Sequence, residues 1–400
     1  MMDLRSGMPY HWIFNGLPVE YPQLDHDVKC SALVVGGGIT GALCARALAT
    51  AGVDVLVVEA GSIGTGSTSA STALLQYELD TPLHLLAEEV GEETAVRSYQ
   101  LCANAIDRIL ALATELGPCG AEPRVSLQYA SRRGDVDLLR KENEMRMKHG
   151  FETELLDAPA VQRTFGFKKP AGLLSHKAAV IDPYRFTHLL FHDVVKNGGR
   201  VMDRTKVESF KQHGSGFQAE TSEGHRIHAE HLVMATGYES QRYVDEPGIE
   251  LHSTYALASQ RMPMSEPWFR NALIWETATP YLYLRTTPDN RVLIGGLDEP
   301  FRNPKLRDKL LDRKAKKLER AFHKLFPDLP FVPEYQWCGT FGGTKDGLPY
   351  IGRDPKTGAW FVLGMGGNGI TFSQVGADIV RDHVLGRKNP DAELFRFGRS

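Results

Sequence analysis

Cysteine is scarce, net charge is small and no apolar stretch is long, and each shortage excludes a class of protein. Cys30, Cys44, Cys102, Cys119 and Cys338 include no CxxC pair, and an odd count argues against a disulfide framework, so inert thiols in a reducing compartment are expected. Basic and acidic residues number 46 and 49, a net charge of -3, which leaves no electropositive footprint for nucleic acid. No run of 18 apolar residues exists, so no spanning helix is expected. The first thirty residues lack a basic segment followed by an apolar one, and a cytoplasmic location is the expectation. GxSxG, HExxH and Walker patterns are missing, which removes the usual grounds for a hydrolase or NTPase.

Glycine is what the chain has in quantity, with 39 residues gathered in a few clusters across 400 positions, a length comfortable for two domains. Ala32 to Val35 form a short apolar run that predicts a buried strand. Gly36-x-Gly38-x-x-Gly41, containing Ile39 and Thr40, follows, and then an alanine-rich helix closed by Gly52. Val53 to Val58 predict a second strand, ending at Glu59 and Ala60. A strand, a helix and a strand with a short crossover build a parallel sheet. The first glycine allows a tight turn, the second lets backbone approach a pyrophosphate, and the third lets helix pack on strand. The helix start supplies unpaired N–H groups, and Glu59 can accept ribose hydroxyls.

Further clusters repeat this chemistry. Gly61 to Thr72 is rich in small and hydroxyl residues (Gly66, Ser67, Thr68, Ser71 and Thr72), able to wrap a cofactor before Ala73 and Leu74 turn into the core. A hairpin, Phe217–Thr221 and Arg226–Met234, runs into Ala235-Thr236-Gly237. Trp360 to Leu363 lead into a second glycine loop holding Gly366, Gly367, Asn368 and Gly369, and a helix beginning near Ile370 and Thr371. No acid-ended strand follows, so this is half a dinucleotide unit, best suited to place a helix N-terminus under an electron-rich group. Residues 83–116 and 135–148 read as amphipathic helices, 185–197 as another helix, 200–210 as strands with period-2 alternation, 281–296 as two strands, and 304–325 as a charged helix over a Leu306/Leu310/Leu318/Leu325 stripe. Its cations could meet acidic lipid or a partner, or simply face water. The aromatic, proline-rich residues 8–24 look like an extended arm.

These motifs together resemble the FAD-dependent D-amino-acid oxidase-like superfamily, which holds glycine oxidase, sarcosine oxidase and glutamylputrescine oxidase. The resemblance covers nearly the whole chain and rests on Val34–Gly41 with Glu59, Gly64–Thr72, Ala235–Tyr238, Gly339–Gly352 and Phe361–Phe372. It implies an α/β fold: a Rossmann-like FAD-binding domain from 28–80, 180–258 and 335–388, a mostly antiparallel α+β substrate domain from 81–179 and 259–334, and an N-terminal arm, 1–27. It implies FAD as cofactor and hydride transfer from a C–N or C–O bond to flavin N5, with oxygen or another acceptor reoxidising it. Gly36, Gly38 and Gly41 would hold the pyrophosphate and Glu59 the ribose. Ser67, Thr68 and Thr72 would follow the pyrophosphate and isoalloxazine, the backbone of Val207 would meet adenine, and Gly339 and Gly366–Thr371 would lie against the flavin.

The sequence departs from its relatives at the substrate end. Phe341 stands where glycine-oxidase-like members carry a carboxylate-clamping arginine, and Gln76 and Thr371 stand where sarcosine-oxidase-like members carry cations. Cys338 lies one residue from the position that bears a covalent flavin, so non-covalent FAD is expected. Arg285 is a candidate replacement anchor or an ordinary salt-bridge residue. Tyr255, Tyr281 and Tyr283 are candidates for an aromatic cage or for core packing. His225, His228 and His231 are spaced by three, which in a strand sends successive rings to opposite faces, so no metal site is expected. The expected activity is oxidation of an amine that is not a simple amino acid. A 2-hydroxy-acid dehydrogenase and a non-catalytic flavin-binding protein are the alternatives.

Overall fold

The computed structural model describes residues 3–244, 249–262 and 269–399; residues 245–248 and 263–268 of the expected domain segments lie outside these. Two sheets carry the architecture. The smaller has eight strands, and its central order is Tyr350–Arg353, Trp360–Leu363, Arg226–Met234, Val28–Val35, Val55–Val58 and Arg200–Met202. All of these neighbours are parallel except the first pair. Val28–Val35 is central because its last five residues, Ser31 apart, are buried apolar groups that suit a strand covered on both faces. The helices Ile39–Ala49, Pro183–Lys196 and Gly369–Val384 pack against one another on one side of it. Alanine and glycine let the first of these come close: a Cβ on Gly41 would stand 1.9 Å from the Gly36 carbonyl oxygen.

The hairpin strand Arg226–Met234 does two jobs. It pairs antiparallel with Gly216–Thr221 and parallel with Val28–Val35, which delivers Ala235 to the glycine turn. The strands expected at 200–210 are Arg200–Met202 and Val207–His213, the second running three residues further, separated where Arg204 adopts φ +49°. Likewise 83–116 is two helices, Leu83–Val90 and Glu92–Leu116, broken at Gly91 with φ +87°.

The larger, ten-stranded sheet is mostly antiparallel. It contains Glu250–Ser259 and Pro333–Gly343, as well as Leu74–Gln76, three strands that the sequence placed with the dinucleotide unit. Hydrogen bonding decides this: Glu250–Ser259 pairs along its length with Pro333–Gly343 and also with Val292–Glu299. Helix Pro304–Leu325 covers one face of that sheet through Leu311, Ala315, Leu318 and Phe322. Leu306, expected in the stripe, is exposed, while Arg307 and Lys314 are buried, bonded to Asp3 and Glu299 respectively. The N-terminal arm is not extended throughout. Arg5–Gly7 adds a strand beside Pro333–Gly343, and Tyr10–Asn15 is a short helix whose Tyr10 and His11 are buried.

Candidate active site

A cavity of about 780 Å³ lies between the two sheets. Every residue that the sequence assigned to cofactor binding lines it except Gly41, which packs behind the turn. At one end the turn Gly36–Gly38 leads into helix Ile39–Ala49. Gly36 takes φ +120°, and a Cβ there would stand 2.3 Å from the Ala235 oxygen. No side chain caps the helix start through its N-cap, Gly38. Thr68 leans in instead, its Oγ1 accepting from Ile39 N at 3.0 Å, and Gly64 N donates to the Gly37 oxygen at 2.9 Å. The hydroxyl loop and the glycine turn are thus one wall.

Glu59 closes this end. Its Oε2 accepts from Gly37 N at 2.6 Å and its Oε1 from Gly61 N at 2.8 Å. Burial pushes its carboxyl up from the ordinary value, against those two N–H groups, which favour the charge. Val207 lines the same end, between Lys206 and Glu208.

Toward the other end the wall is Thr72 to Gln76 and the second glycine loop. Ala73 has φ +53°, a strained setting for a residue with a Cβ, and its N–H is held by Ser71 Oγ at 3.1 Å. Asn368 fixes the second loop by donating to the carbonyls of Gln76 at 3.1 Å and Glu78 at 2.9 Å. Thr371 Oγ1 donates to Asn368 O at 2.9 Å. Phe341 and Gln76 also line this end; Gln76 gives its amide N–H to Ser126 Oγ at 2.9 Å.

Two expected site residues are elsewhere. Strand parity explains Tyr255: it pairs with Cys338, and both face helix Pro304–Leu325, whereas Thr254 and its partner Gly339 face the cavity. Arg285 lies along the sheet beyond Tyr283, where the N-terminal helix covers it. It donates to the carbonyls of Thr72 and Thr286 and lies 3.2 Å from His11 Nε2, so it braces the cofactor loop. Burial lowers its pKa to about 10.

The sequence reading missed Asp298, Tyr238, Thr254 and the segment Asp3–Arg5, all of which line the cavity, and Asp80, which is bonded to two of the lining residues. Asp80 accepts from Tyr281 OH at 2.7 Å and from Gly367 N at 3.0 Å. Asp298 follows a bulge: Leu297 has φ +59°, and the pairing with Glu250–Ser259 slips between Ser253 and Tyr255. Bulges re-aim side chains beside sites, and no periodicity announces one. Burial pushes the Asp298 carboxyl up to about 6, with Asp80 adding to the rise and Thr254 hydrogen bonding opposing it. Its Oδ1 is buried without a hydrogen-bond partner among the described residues.

The donors present fit FAD. A glycine turn too tight for a Cβ, a helix start whose N-cap is a glycine, a carboxylate at the second strand end and a buried Ser67 Oγ without a partner among the described residues provide for a dinucleotide. The described residues hold no group of His, Cys, Asp or Glu able to bind a metal: the His228 ring meets His213 and the His231 ring meets His383. No helix among them is long and apolar enough to cross a membrane.

Comparison with known proteins agrees. Gamma-glutamylputrescine oxidoreductase of Escherichia coli (strain K12) is 28% identical over 391 residues, covering 94% of this chain and 87% of the relative. Glycine oxidase of Geobacillus kaustophilus is 26% identical over 395 residues, covering 91% and 95%. The crystal structure of that glycine oxidase superposes with a TM-score of 0.78 at 20% identity, over 93% of this chain and 99% of the other. L-proline dehydrogenase from P. horikoshii superposes with a TM-score of 0.76 at 18% identity, over 92% and 97%. Residues 31–383 match the FAD dependent oxidoreductase family, DAO, and the chain belongs to that family of FAD-dependent enzymes.

Proposed function

We propose that the protein oxidises the C–N bond of an amine that carries no carboxylate beside the reacting carbon. One observation carries this reading: the end of the cavity near Phe341 offers aromatic rings and an acid but no cation. The lining cations among the described residues are Arg5, Lys206 and Arg242. Lys206 pairs with Glu208, beside Val207, and Arg242 with Glu239 at 4.0 Å, beyond the Ala235 turn. Arg5 sits at the hydroxyl loop, bonded to the Thr65 carbonyl. A buried carboxylate without a partner is strongly disfavoured, so an amino acid or a 2-hydroxy acid suits this end poorly. An ammonium group suits it well, with Asp298 for charge and Tyr281, Tyr283 and Phe341 for ring faces. The relative named for gamma-glutamylputrescine supports an amine donor.

In this reading Gly36, Gly38, Ser67 and Thr68 hold the pyrophosphate, Glu59 the ribose, and Gly366–Thr371 the flavin. FAD supplies the hydride acceptor. The Asp298 carboxylate would take the proton of the bound ammonium, leaving the amine neutral, the form whose carbon can give up hydride. The flavin is non-covalent, because Cys338 faces away from the cavity and burial pushes its thiol up to about 12.

Anaerobic flavin bleaching tests the proposal. Glycine, sarcosine and D-alanine should bleach slowly and a larger primary amine rapidly. Fast bleaching by a small amino acid, or by a 2-hydroxy acid alone, overturns it.

A further inference from the structure

The segment before the first expected strand belongs to the cofactor site. Its strand, Arg5–Gly7, pairs antiparallel with Pro333–Gly343, with Arg5 opposite Gly339, and Thr340 N donates to the Leu4 oxygen at 2.8 Å. Arg307 anchors the start through Asp3 Oδ1 at 2.9 Å. The helix that follows is tied to the other sheet's helices: Asn15 Nδ2 donates to Asp182 Oδ2 at 2.6 Å, and Tyr184 OH donates to the Gly16 oxygen at 3.0 Å.

Arg5 is the distinctive residue of this clasp. Its guanidinium lines the cavity, stacks at 4.2 Å on the Trp12 ring and donates Nε–H to the Thr65 carbonyl. The other two lining cations have carboxylate partners, whereas Arg5 has no ion pair among the described residues, its neighbour Asp3 being held by Arg307. The loop it grips is the one joined to the glycine turn at Gly64–Gly37 and Thr68–Ile39. Two residues after Thr65, Ser67 Oγ is buried without a partner among the described residues. A half-buried guanidinium without an ion pair among the described residues, beside an unsatisfied hydroxyl and a helix start that only Thr68 caps, marks a place for an anion with several acceptor oxygens.

We infer that Arg5 binds the pyrophosphate of FAD, so that the N-terminal strand and helix supply a cofactor contact from outside the dinucleotide unit. This inference does not rest on the substrate reading, since it concerns the hydroxyl loop that Arg5 holds and is read without turnover.

FAD affinity of the apoprotein, followed by flavin fluorescence quenching at several salt concentrations, tests it. Arg5→Met should raise Kd about ten- to a hundred-fold, the loss of a charge-assisted hydrogen bond, and flatten the dependence of Kd on salt. Arg5→Lys, which keeps the charge but not the planar fork, should fall between and keep the salt dependence. Melting each apoprotein with and without FAD separates loss of fold from loss of cofactor: the apo melting temperature should hold while the rise caused by FAD shrinks. An unchanged Kd in Arg5→Met overturns the inference. So does a raised Kd with the wild-type salt dependence, which would mean that Arg5 only holds the loop.

Discussion

Single side chains set both ends of the cavity. Glu59 has its two oxygens on backbone N–H groups and would meet the ribose with its remaining lone pairs. Glu59→Gln should weaken FAD binding about ten- to a hundred-fold, as expected for hydrogen bonds to a charged group; unchanged affinity by fluorescence titration would place the ribose elsewhere. Asp298 sets a pH dependence. The charged groups and phenols facing it are Asp80, His252, Lys314, Tyr281 and Tyr283, and its carboxyl sits at about 6. Below that pH it is protonated and can neither attract an ammonium nor take its proton. The rate of flavin reduction over amine Kd should therefore rise through about pH 6 and level off above it. Asp298→Asn should lower the plateau and remove that inflection, and a profile unmoved by the variant would exclude Asp298 from the reaction.

Secondary-structure elements decide which of these side chains meet, and here parity matters most. In Pro333–Gly343, Gly339 faces the cavity and Cys338 faces the helix Pro304–Leu325. Acid precipitation should therefore release all the flavin into the supernatant, and colour kept in the pellet would contradict the strand's orientation. Helix Val136–Lys148 positions the segment that carries Gln76 and Asp80. Helix Leu83–Val90 has no side-chain cap of its own, and Glu142 accepts from Leu83 N at 2.8 Å and His84 N at 3.0 Å, and from Arg146 Nε at 2.7 Å. Burial opposes the Glu142 charge, but Arg146 and these donors outweigh it and hold the carboxyl down at about 2. A depressed pKa means stability that is present above the ordinary carboxylate range and lost as pH falls toward 2. Glu142→Gln should cost about 3 kcal/mol near neutral pH, measured by denaturant unfolding, because it leaves the buried Arg146 with only the more distant Glu78, at 3.7 Å, to balance its charge. Much of this layout was legible: the glycine turns, Glu59, the hydroxyl loop and helix 304–325 stand where composition and spacing put them. Sheet membership was not, since Glu250–Ser259 looks alike whether its partner is parallel or antiparallel. Asp298 depends on a bulge and Arg285 on a covering helix, and both are set by long-range packing that local sequence does not carry.

At the scale of the whole molecule, two sheets enclose one cavity with opposite chemistry at its ends. In the proposed reading the glycine turns, helix starts and Arg5 would face the dinucleotide, while rings and Asp298 would face the substrate. The proposed preference follows from this division, with Phe341, Gln76 and Thr371 lining the cavity at positions where the family resemblance leads one to expect cations. The most direct test takes the amine that bleaches the flavin fastest and compares it with the same molecule bearing a carboxylate on the reacting carbon. Both are mixed anaerobically with the loaded enzyme above pH 7, and flavin reduction is followed by stopped flow. The account predicts that the carboxylated form reacts at least about a hundred-fold less efficiently, since its charge would be buried without a partner. Equal or faster reduction by the carboxylated form would contradict it.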